Sequence, residues 1–199
     1  MTTHLHDQRI EVVVALLRES GARRILDLGC GDGPLSLRLA REPEVERVLA
    51  LDLSTTALAV LRRALQALPA ALGAKVEVVE GSMTEGGDAW TGFEAAVLLE
   101  TIEHIEPDRL SAVERNVFGR ARPATVVVTT PNSDFNPLLG VPDHRRRHPD
   151  HRFEWDRTKF RAWAEGVAAR NAYRVACRDL AGEHPRLGGA SQLALFRRA

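Results

Sequence analysis

The chain has 199 residues, 44% hydrophobic and 27% charged, the composition of one globular domain long enough to bury a core. Its 27 Lys and Arg balance 27 Asp and Glu, so no global field draws it to nucleic acid, and any such binding has to come from a local patch. No apolar run approaches the roughly 20 residues of a membrane span, the polar start from Met1 to Arg9 has no signal-peptide core, and two distant cysteines, Cys30 and Cys177, fit a reducing compartment, so a cytoplasmic setting is expected.

Apolar residues at positions 10, 13, 14 and 17 predict a helix over Ile10 to Leu17, ended by Ser20-Gly21. Arg24 to Leu28 predicts a short strand that leads into Gly29-Cys30-Gly31-Asp32-Gly33, and a helix carrying Leu35 and Leu39 follows. Strand, glycine turn and helix together are the setting of a nucleotide-type cofactor site. The spacing is G-x-G-x-G, not the G-x-G-x-x-G of a dinucleotide fingerprint. The acid before the turn, Asp27, suits a cationic or amino-bearing ligand better than a phosphate. The glycines Gly29, Gly31 and Gly33 let the backbone pass close to that ligand.

Arg47 to Leu51 predicts the second strand, ending at Asp52 with Leu53 beside it. An acid about 20 residues beyond the glycine turn, at a strand end, is placed to bind both ribose hydroxyls of an adenosine moiety. The competing reading is a helix-capping acid. Ser54 is a good N-cap for a helix to about Leu68, with Leu58, Leu61, Leu65 and Leu68 on its core face. Lys75 to Glu80 predicts a third strand, with Ser82 and Met83 at its carboxyl end, where they would flank an adenine ring. Met83 reads equally as a gap-filling core methionine.

Phe93 to Leu99 predicts a buried fourth strand that delivers Glu100-Thr101-Ile102-Glu103-His104. A helix starting here would put Glu100, Glu103 and His104 on one face, at the carboxyl edge of the sheet where ligands bind in open α/β folds. Two carboxylates and an imidazole suit Mg²⁺ or Mn²⁺ better than the softer thiolate sites do. The plainer reading is a set of polar residues that cap a first helical turn. Pro107 is placed to start a helix with Leu110, Val113 and Val117 inward, and Ala124 to Thr130 predicts a fifth strand ended by Pro131-Asn132.

Asn132 to Asp156 is then a long connection without periodicity, and such loops in compact domains are usually functional or disordered. It holds Asp143-His144-Arg145-Arg146-Arg147-His148-Pro149-Asp150-His151-Arg152, whose four arginines and three histidines are the one basic concentration in a neutral chain. That stretch reads either as phosphate contacts or as a solvated charge run. Phe153 and Trp155 tie the loop down, and Asp156 caps a helix with Phe160, Trp163 and Val167 inward. Tyr173 to Arg178 and Gln192 to Arg197 predict two last strands. Five β/α units and a terminal hairpin make a doubly wound α/β sheet with an antiparallel edge, in a single domain over residues 1–199.

The Leu26-Asp27-Leu28-Gly29-Cys30-Gly31-Asp32-Gly33 turn, with Asp52 and Ser82-Met83, resembles the class I S-adenosylmethionine-dependent methyltransferases. The resemblance implies a Rossmann-like seven-stranded sheet over essentially the whole chain, its last strand antiparallel. It implies Asp27, Gly29, Gly31 and Gly33 around the methionine part of the cofactor, Asp52 with Leu53 at the ribose, and Ser82 and Met83 near the adenine.

A narrower resemblance covers Glu100-x-x-Glu103-His104, Thr130-Pro131-Asn132-Ser133-Asp134-Phe135-Asn136 and His151-Arg152-Phe153-Glu154-Trp155. These segments look like the Hen1 family, which methylates the 2′-hydroxyl of the 3′-terminal ribose of RNA. The resemblance implies Glu100, Glu103, His104 and His151 as catalytic ligands of one divalent metal, with Mn²⁺ favoured and Mg²⁺ the alternative. Asn132, Arg145, Arg146 and Arg147 are expected to meet the RNA. A polynucleotide kinase-phosphatase of RNA repair is an implied partner. The larger members carry further modules that these residues do not contain, so the chain is expected to be a methyltransferase domain of a larger protein or a stand-alone relative. The alternative function is a metal-dependent O-methyltransferase for a small diol of the catechol or ubiquinone-precursor type. It explains the Glu and His cluster but not the arginine loop.

Overall fold

The computed structural model describes residues 4–199; of the polar start, Met1 to Thr3 lie outside the described residues. Helix α1 (His4–Ser20) buries Ile10, Val13, Val14 and Leu17, the predicted stripe, together with Leu16, and begins well before it. Strands and helices then alternate: β1 (Arg24–Leu28), α2 (Pro34–Ala40), β2 (Arg47–Asp52), α3 (Thr55–Gln66), a single turn α4 (Ala70–Gly73), β3 (Val76–Glu80), β4 (Ala95–Leu99), α5 (Leu110–Glu114), β5 (Thr125–Pro131), α6 (Arg157–Asn171), β6 (Tyr173–Leu180) and β7 (Ser191–Arg198). Among the described residues no helix is long and apolar enough to cross a membrane.

Local chemistry accounts for several boundaries. Ser54 Oγ accepts the Ala57 N–H at 3.2 Å and Asp156 Oδ1 accepts the Lys159 N–H at 2.7 Å. Each is an N-cap of the kind whose loss costs about 1 kcal/mol. Pro34 opens α2, where its missing N–H is no loss.

The seven strands form one sheet in the order β3-β2-β1-β4-β5-β7-β6. Strands β1 to β5 are parallel, and β7 is antiparallel to both β5 and β6. This is the expected class I sheet, with one refinement. The hairpin is not simply appended, because its second strand inserts beside β5 and leaves β6 at the edge. Burial explains the order. Leu193, Ala194 and Phe196 of β7 are covered completely, whereas β6 alternates and exposes Arg174, Arg178 and Asp179. Charge on an edge strand discourages further pairing. Two cores flank the sheet. Val14, Leu39, Leu58 and Leu61 lie in one, and Phe118, Trp155, Phe160 and Phe196 in the other.

The helix expected to start at Glu100 does not form. Glu100 is left-handed, at φ 50, and Thr101, at φ −130 and ψ −39, is neither helical nor extended. A single 3₁₀ turn, Ile102–His104, follows, then a second, Pro107–Arg109, before α5. Glu100, Glu103 and His104 therefore do not share a helical face. Two threonines explain this. Thr129 takes the Glu100 N–H on both its carbonyl and its hydroxyl, at 3.2 and 2.9 Å. Thr101 Oγ1 donates back to the Leu99 carbonyl at 3.0 Å, an alternative to a helical first turn. A left-handed residue other than glycine costs about 1–3 kcal/mol and tends to mark functional sites.

The long connection after β5 is also more ordered than its sequence suggests. Asn132 caps a 3₁₀ segment, Ser133–Leu139, and pairs with Trp155 as an isolated parallel bridge. The basic stretch is thereby pinned across the carboxyl edge of the sheet.

Candidate active site

A cleft of about 590 Å³ opens over the carboxyl ends of the central strands. Gly29, Gly31, Asp52, Leu53, Ser82 and Met83 line one part of it, and Glu100, Thr101 and His104 another. The glycine turn explains the opening. A Cβ on Gly29 would lie 2.2 Å from Thr101 Cγ2, so Thr101 fills the space of the missing side chain. A Cβ on Gly31 would meet nothing within 4 Å, and Gly31 sits at φ +55 facing the cleft. Asp52 holds the turn in place. Its Oδ2 accepts the Gly31 N–H and its Oδ1 the Ser54 N–H, both at 2.8 Å. Asp52 thus braces the turn and the residue that caps α3, but the cap itself is Ser54, so the helix-capping reading of Asp52 does not hold. Leu53 is 70% exposed at the rim, a large apolar surface beside the cleft. Met83 is buried but reaches the cleft wall, and its carbonyl accepts from Asn116 Nδ2 at 3.1 Å.

Two of the expected cofactor residues lie beneath the turn and not on the cleft wall. Gly33 caps α2 at φ +87, where a Cβ would strike Leu61 at 2.2 Å. Asp27 is buried and accepts from Ser36 Oγ at 2.6 Å. Burial pushes its carboxyl up to about 6, against the Ser36 hydrogen bond.

Glu103 is completely buried. Its Oε2 accepts from Thr130 Oγ1 at 2.9 Å, and its Oε1 has no hydrogen-bond partner among the described residues. Burial, and then the charge of Glu100, push its pKa well above the usual carboxylate range. Leaving such an oxygen buried and unpaired is costly. Glu100 is better satisfied: Oε1 accepts from Thr129 Oγ1 at 2.8 Å, and Oε2 from Ser191 Oγ at 2.9 Å with Arg9 Nε at 3.4 Å. Thr129, Thr130, Ser191 and Arg9 are residues that sequence reasoning missed. They come from three separate elements, α1, β5 and β7, which only the folded chain brings together.

The histidines converge. The His104 and His151 rings are 4.8 Å apart, and His148 lies 5.9 and 5.6 Å from them. One nitrogen from each lies within 4.8 Å of the others. Burial, then the His151 and His148 rings, hold the His104 imidazole below its usual range, which keeps its lone pair available. His151 Nδ1 meets Glu154 Oε1 at 2.6 Å, a carboxylate contact that fixes the orientation of the ring. The Arg152 N–H donates to the Glu103 carbonyl at 2.6 Å and ties the loop to the Glu103 turn. Of the expected ligands, His104 and His151 come together, with His148, within reach of one cation, whereas Glu100 and Glu103 are not part of that cluster among the described residues; what fits a cation at the acids is the unpartnered Glu103 Oε1 beside the charge of Glu100. Sequence reasoning noted His148 in the basic loop but gave it no role.

The expected RNA contacts need correction. Asn132 is buried, with Nδ2 donating to the Leu187 and Gly189 carbonyls at 2.8 and 2.9 Å and Oδ1 accepting the Asp134 N–H at 3.0 Å. It is a loop clamp with no group left for substrate. Arg147 is half-buried and bonds Asn136 Oδ1 and the Ala190 carbonyl, each at 2.6 Å, and the Asn132 carbonyl. An irregular loop has carbonyls with no ladder partner, and the guanidinium fork satisfies them. Arg146 donates to the His151 carbonyl at 2.6 Å yet stays exposed. Arg145 is exposed and makes no side-chain hydrogen bond among the described residues.

Residues 25–124 match the family model described as Methyltransferase domain. The small RNA 2′-O-methyltransferase of Gallus gallus is 36% identical over 181 residues, covering 87% of this chain and 48% of that protein. The chain spans about half the length of the curated relatives it matches. The solved methyltransferase domain of bacterial CtHen1-C is 32% identical with a TM-score of 0.89, covering 98% of this chain and 100% of that one. A chain in the structure of a Pnkp1/Rnl/Hen1 RNA repair complex shares the fold, at 20% identity and a TM-score of 0.72 over 100% of this chain and 42% of that one. The chain belongs to the methyltransferase-domain family and, within it, to the Hen1 methyltransferase domains.

Proposed function

We propose that this domain transfers the methyl group of S-adenosylmethionine to the 2′-hydroxyl of the 3′-terminal ribose of RNA, in a reaction that needs one divalent metal. The observation that carries the proposal is Glu103: a fully buried carboxylate with an unpartnered oxygen, in the turn whose Glu100, Thr101 and His104 line the cleft and whose Glu103 carbonyl accepts the N–H of Arg152 from the basic loop. Asp52, on the cleft wall, would accept from the ribose hydroxyls of the cofactor, with Leu53 and Met83 supplying apolar surface for its adenosine. Glu100, Glu103, His104 and His151 would hold the metal, for which this mixed oxygen and nitrogen set favours Mn²⁺ over Mg²⁺. Such an ion lowers the pKa of a coordinated hydroxyl, as it takes water from about 15.7 to about 7 in the best zinc sites.

The chain's own residues do the rest. Glu154 keeps the His151 ring oriented through its 2.6 Å contact, and Thr130 holds Glu103. Arg145 and Arg146, exposed on the loop, offer charge to the phosphates that precede the terminal nucleotide. A terminal ribose in RNA alone offers free 2′- and 3′-hydroxyls together, so end selectivity needs no base contact. A 3′-phosphate would remove one of those hydroxyls. An enzyme that clears 3′-phosphates, of the polynucleotide kinase-phosphatase kind, is therefore the proposed functional partner. The two unpaired cysteines support a reducing, cytoplasmic setting as part of this reading.

The small-diol reading is distinguished by competition. A short RNA and a catechol, offered together with labelled cofactor and Mn²⁺, should divide the label in favour of the RNA. Label in the catechol with unmodified RNA would reverse the assignment.

A further inference from the structure

Residues 81–87, which carry Ser82 and Met83 along the cofactor cleft, form neither helix nor strand. A buried amide holds them from behind. Asn116 lies in a π-helical segment, Arg115–Ala121, that continues α5; it is 7% exposed, and its Nδ2 donates to the Met83 carbonyl at 3.1 Å. We propose that Asn116, which does not line the cleft, is a positioning residue for the cofactor: it fixes the Met83 backbone so that the Met83 N–H is presented to the edge of the adenine. The inference rests on the S-adenosylmethionine reading above and deepens it by naming what sets the base preference of that site.

Three observations support it. The first is where Asn116 sits. It is buried in sequence between Val113 and Val117, both in the core, where an apolar side chain would carry no polar cost. A buried amide is kept only with a partner, and the partner of this one is on the cleft wall. Segments wound i→i+5 are rare and frequently mark functional sites. The second observation is that the peptide after Met83 is held at both ends. Its carbonyl is taken by Asn116, and its N–H, that of Thr84, donates to Ser82 Oγ at 3.2 Å. Ser82 Oγ and Thr84 Oγ1 lie 2.7 Å apart, and Arg109 Nη2 donates to Thr84 Oγ1 at 2.6 Å. The Met83 N–H makes no hydrogen bond among the described residues, so a backbone donor is left for a ligand. The third observation is Gly86, at φ +70. A Cβ there would lie 2.6 Å from Asn116 Cγ, so the loop closes over the amide only because residue 86 has no side chain.

The consequence is base selectivity. Adenine has an acceptor at N1 where hypoxanthine has an N–H. A donor that cannot turn away therefore favours the first and opposes the second. The apolar side chain of Met83 makes no such distinction, so the preference depends on how firmly the backbone is held.

The test is calorimetric titration of the chain with S-adenosylmethionine and with its hypoxanthine counterpart, in which oxygen replaces the 6-amino group. Neither titration needs RNA or metal. Wild type is compared with N116L, which keeps the bulk and loses the donor, and with G86A, which crowds the amide from the loop and leaves α5 unaltered. L65A, in the opposite core, controls for lost stability. Wild type should prefer the adenine cofactor. N116L and G86A should weaken S-adenosylmethionine binding about tenfold, the upper end for one hydrogen bond. Their affinity for the hypoxanthine cofactor should change little, so the preference narrows by the same factor, while L65A keeps the wild-type preference. A wild-type preference in either N116L or G86A, an equal loss for both cofactors, or a wild type that does not discriminate would overturn the role of Asn116 and leave the S-adenosylmethionine reading intact. A wild-type chain that binds neither cofactor would overturn both.

Discussion

Asp27 is where the cofactor turn stores an electrostatic cost that can be measured without any ligand. Its carboxylate is 1% exposed and is held by Ser36, yet burial outweighs those bonds and raises its pKa from 3.8 to about 6. The fold therefore binds this proton more tightly than the unfolded chain does. Below about pH 4 both states are protonated and the stabilisation is complete. As pH rises through the folded value the stabilisation is lost, because the unfolded chain releases its proton first. A shift of about two units, at 1.36 kcal/mol per unit, amounts to about 3 kcal/mol. Asp27→Asn keeps the shape and an acceptor for Ser36 but does not titrate. Urea denaturation of the cofactor-free variant and wild type should show a difference in stability that grows in favour of Asn by about 3 kcal/mol between pH 4 and pH 7.5. A difference independent of pH, or one that grows in favour of Asp, would refute the reasoning. An acid kept at this cost is expected to answer a cationic ligand, so the same variant should bind S-adenosylmethionine more weakly.

The other expectations follow from contacts already described. Asp52→Ala should cost at least about 1.5 kcal/mol of S-adenosylmethionine affinity, the low end for hydrogen bonds to a charged group, and unchanged affinity by calorimetry would remove it from the site. Arg147→Ala should lower stability by at least about 2 kcal/mol, since it leaves the carbonyls of Asn132 and Ala190 without that partner, while Arg145→Ala should spare stability and flatten the salt dependence of RNA binding by roughly one unit of slope. The reverse pattern would exchange their roles. Glu103→Ala should abolish turnover with cofactor affinity nearly intact, and EDTA should reproduce that loss until Mn²⁺ is restored; full activity in either case would end the metal-dependent reading.

How much of this was legible in the sequence depended on whether the cause was local. Arg24 to Leu28 and the glycine turn carry their structure in adjacent residues, and the cleft formed where the spacing put it. The Ser54 and Asp156 caps were readable for the same reason. The order of β6 and β7 was not, since it follows from which strand has two covered faces. Glu100 was placed correctly at a strand end but given the wrong backbone, because Thr129, 29 residues away, takes its N–H. Arg147 looked like a surface charge, and its acceptors at Asn132 and Ala190 are far from it in the chain. His148 was visible as a residue but not as a neighbour of His104, which only loop closure decides.

The central claim is methyl transfer to a free terminal diol, and the most direct measurement uses three versions of one short RNA. Labelled S-adenosylmethionine and Mn²⁺ are supplied with the natural 3′ end, a 3′-phosphate end and a 3′-deoxy end. The account predicts that the natural end is labelled on its 2′-oxygen, that the 3′-phosphate end is not labelled, and that the 3′-deoxy end is labelled poorly. Equal labelling of the 3′-phosphate end, or label on internal riboses, would contradict it.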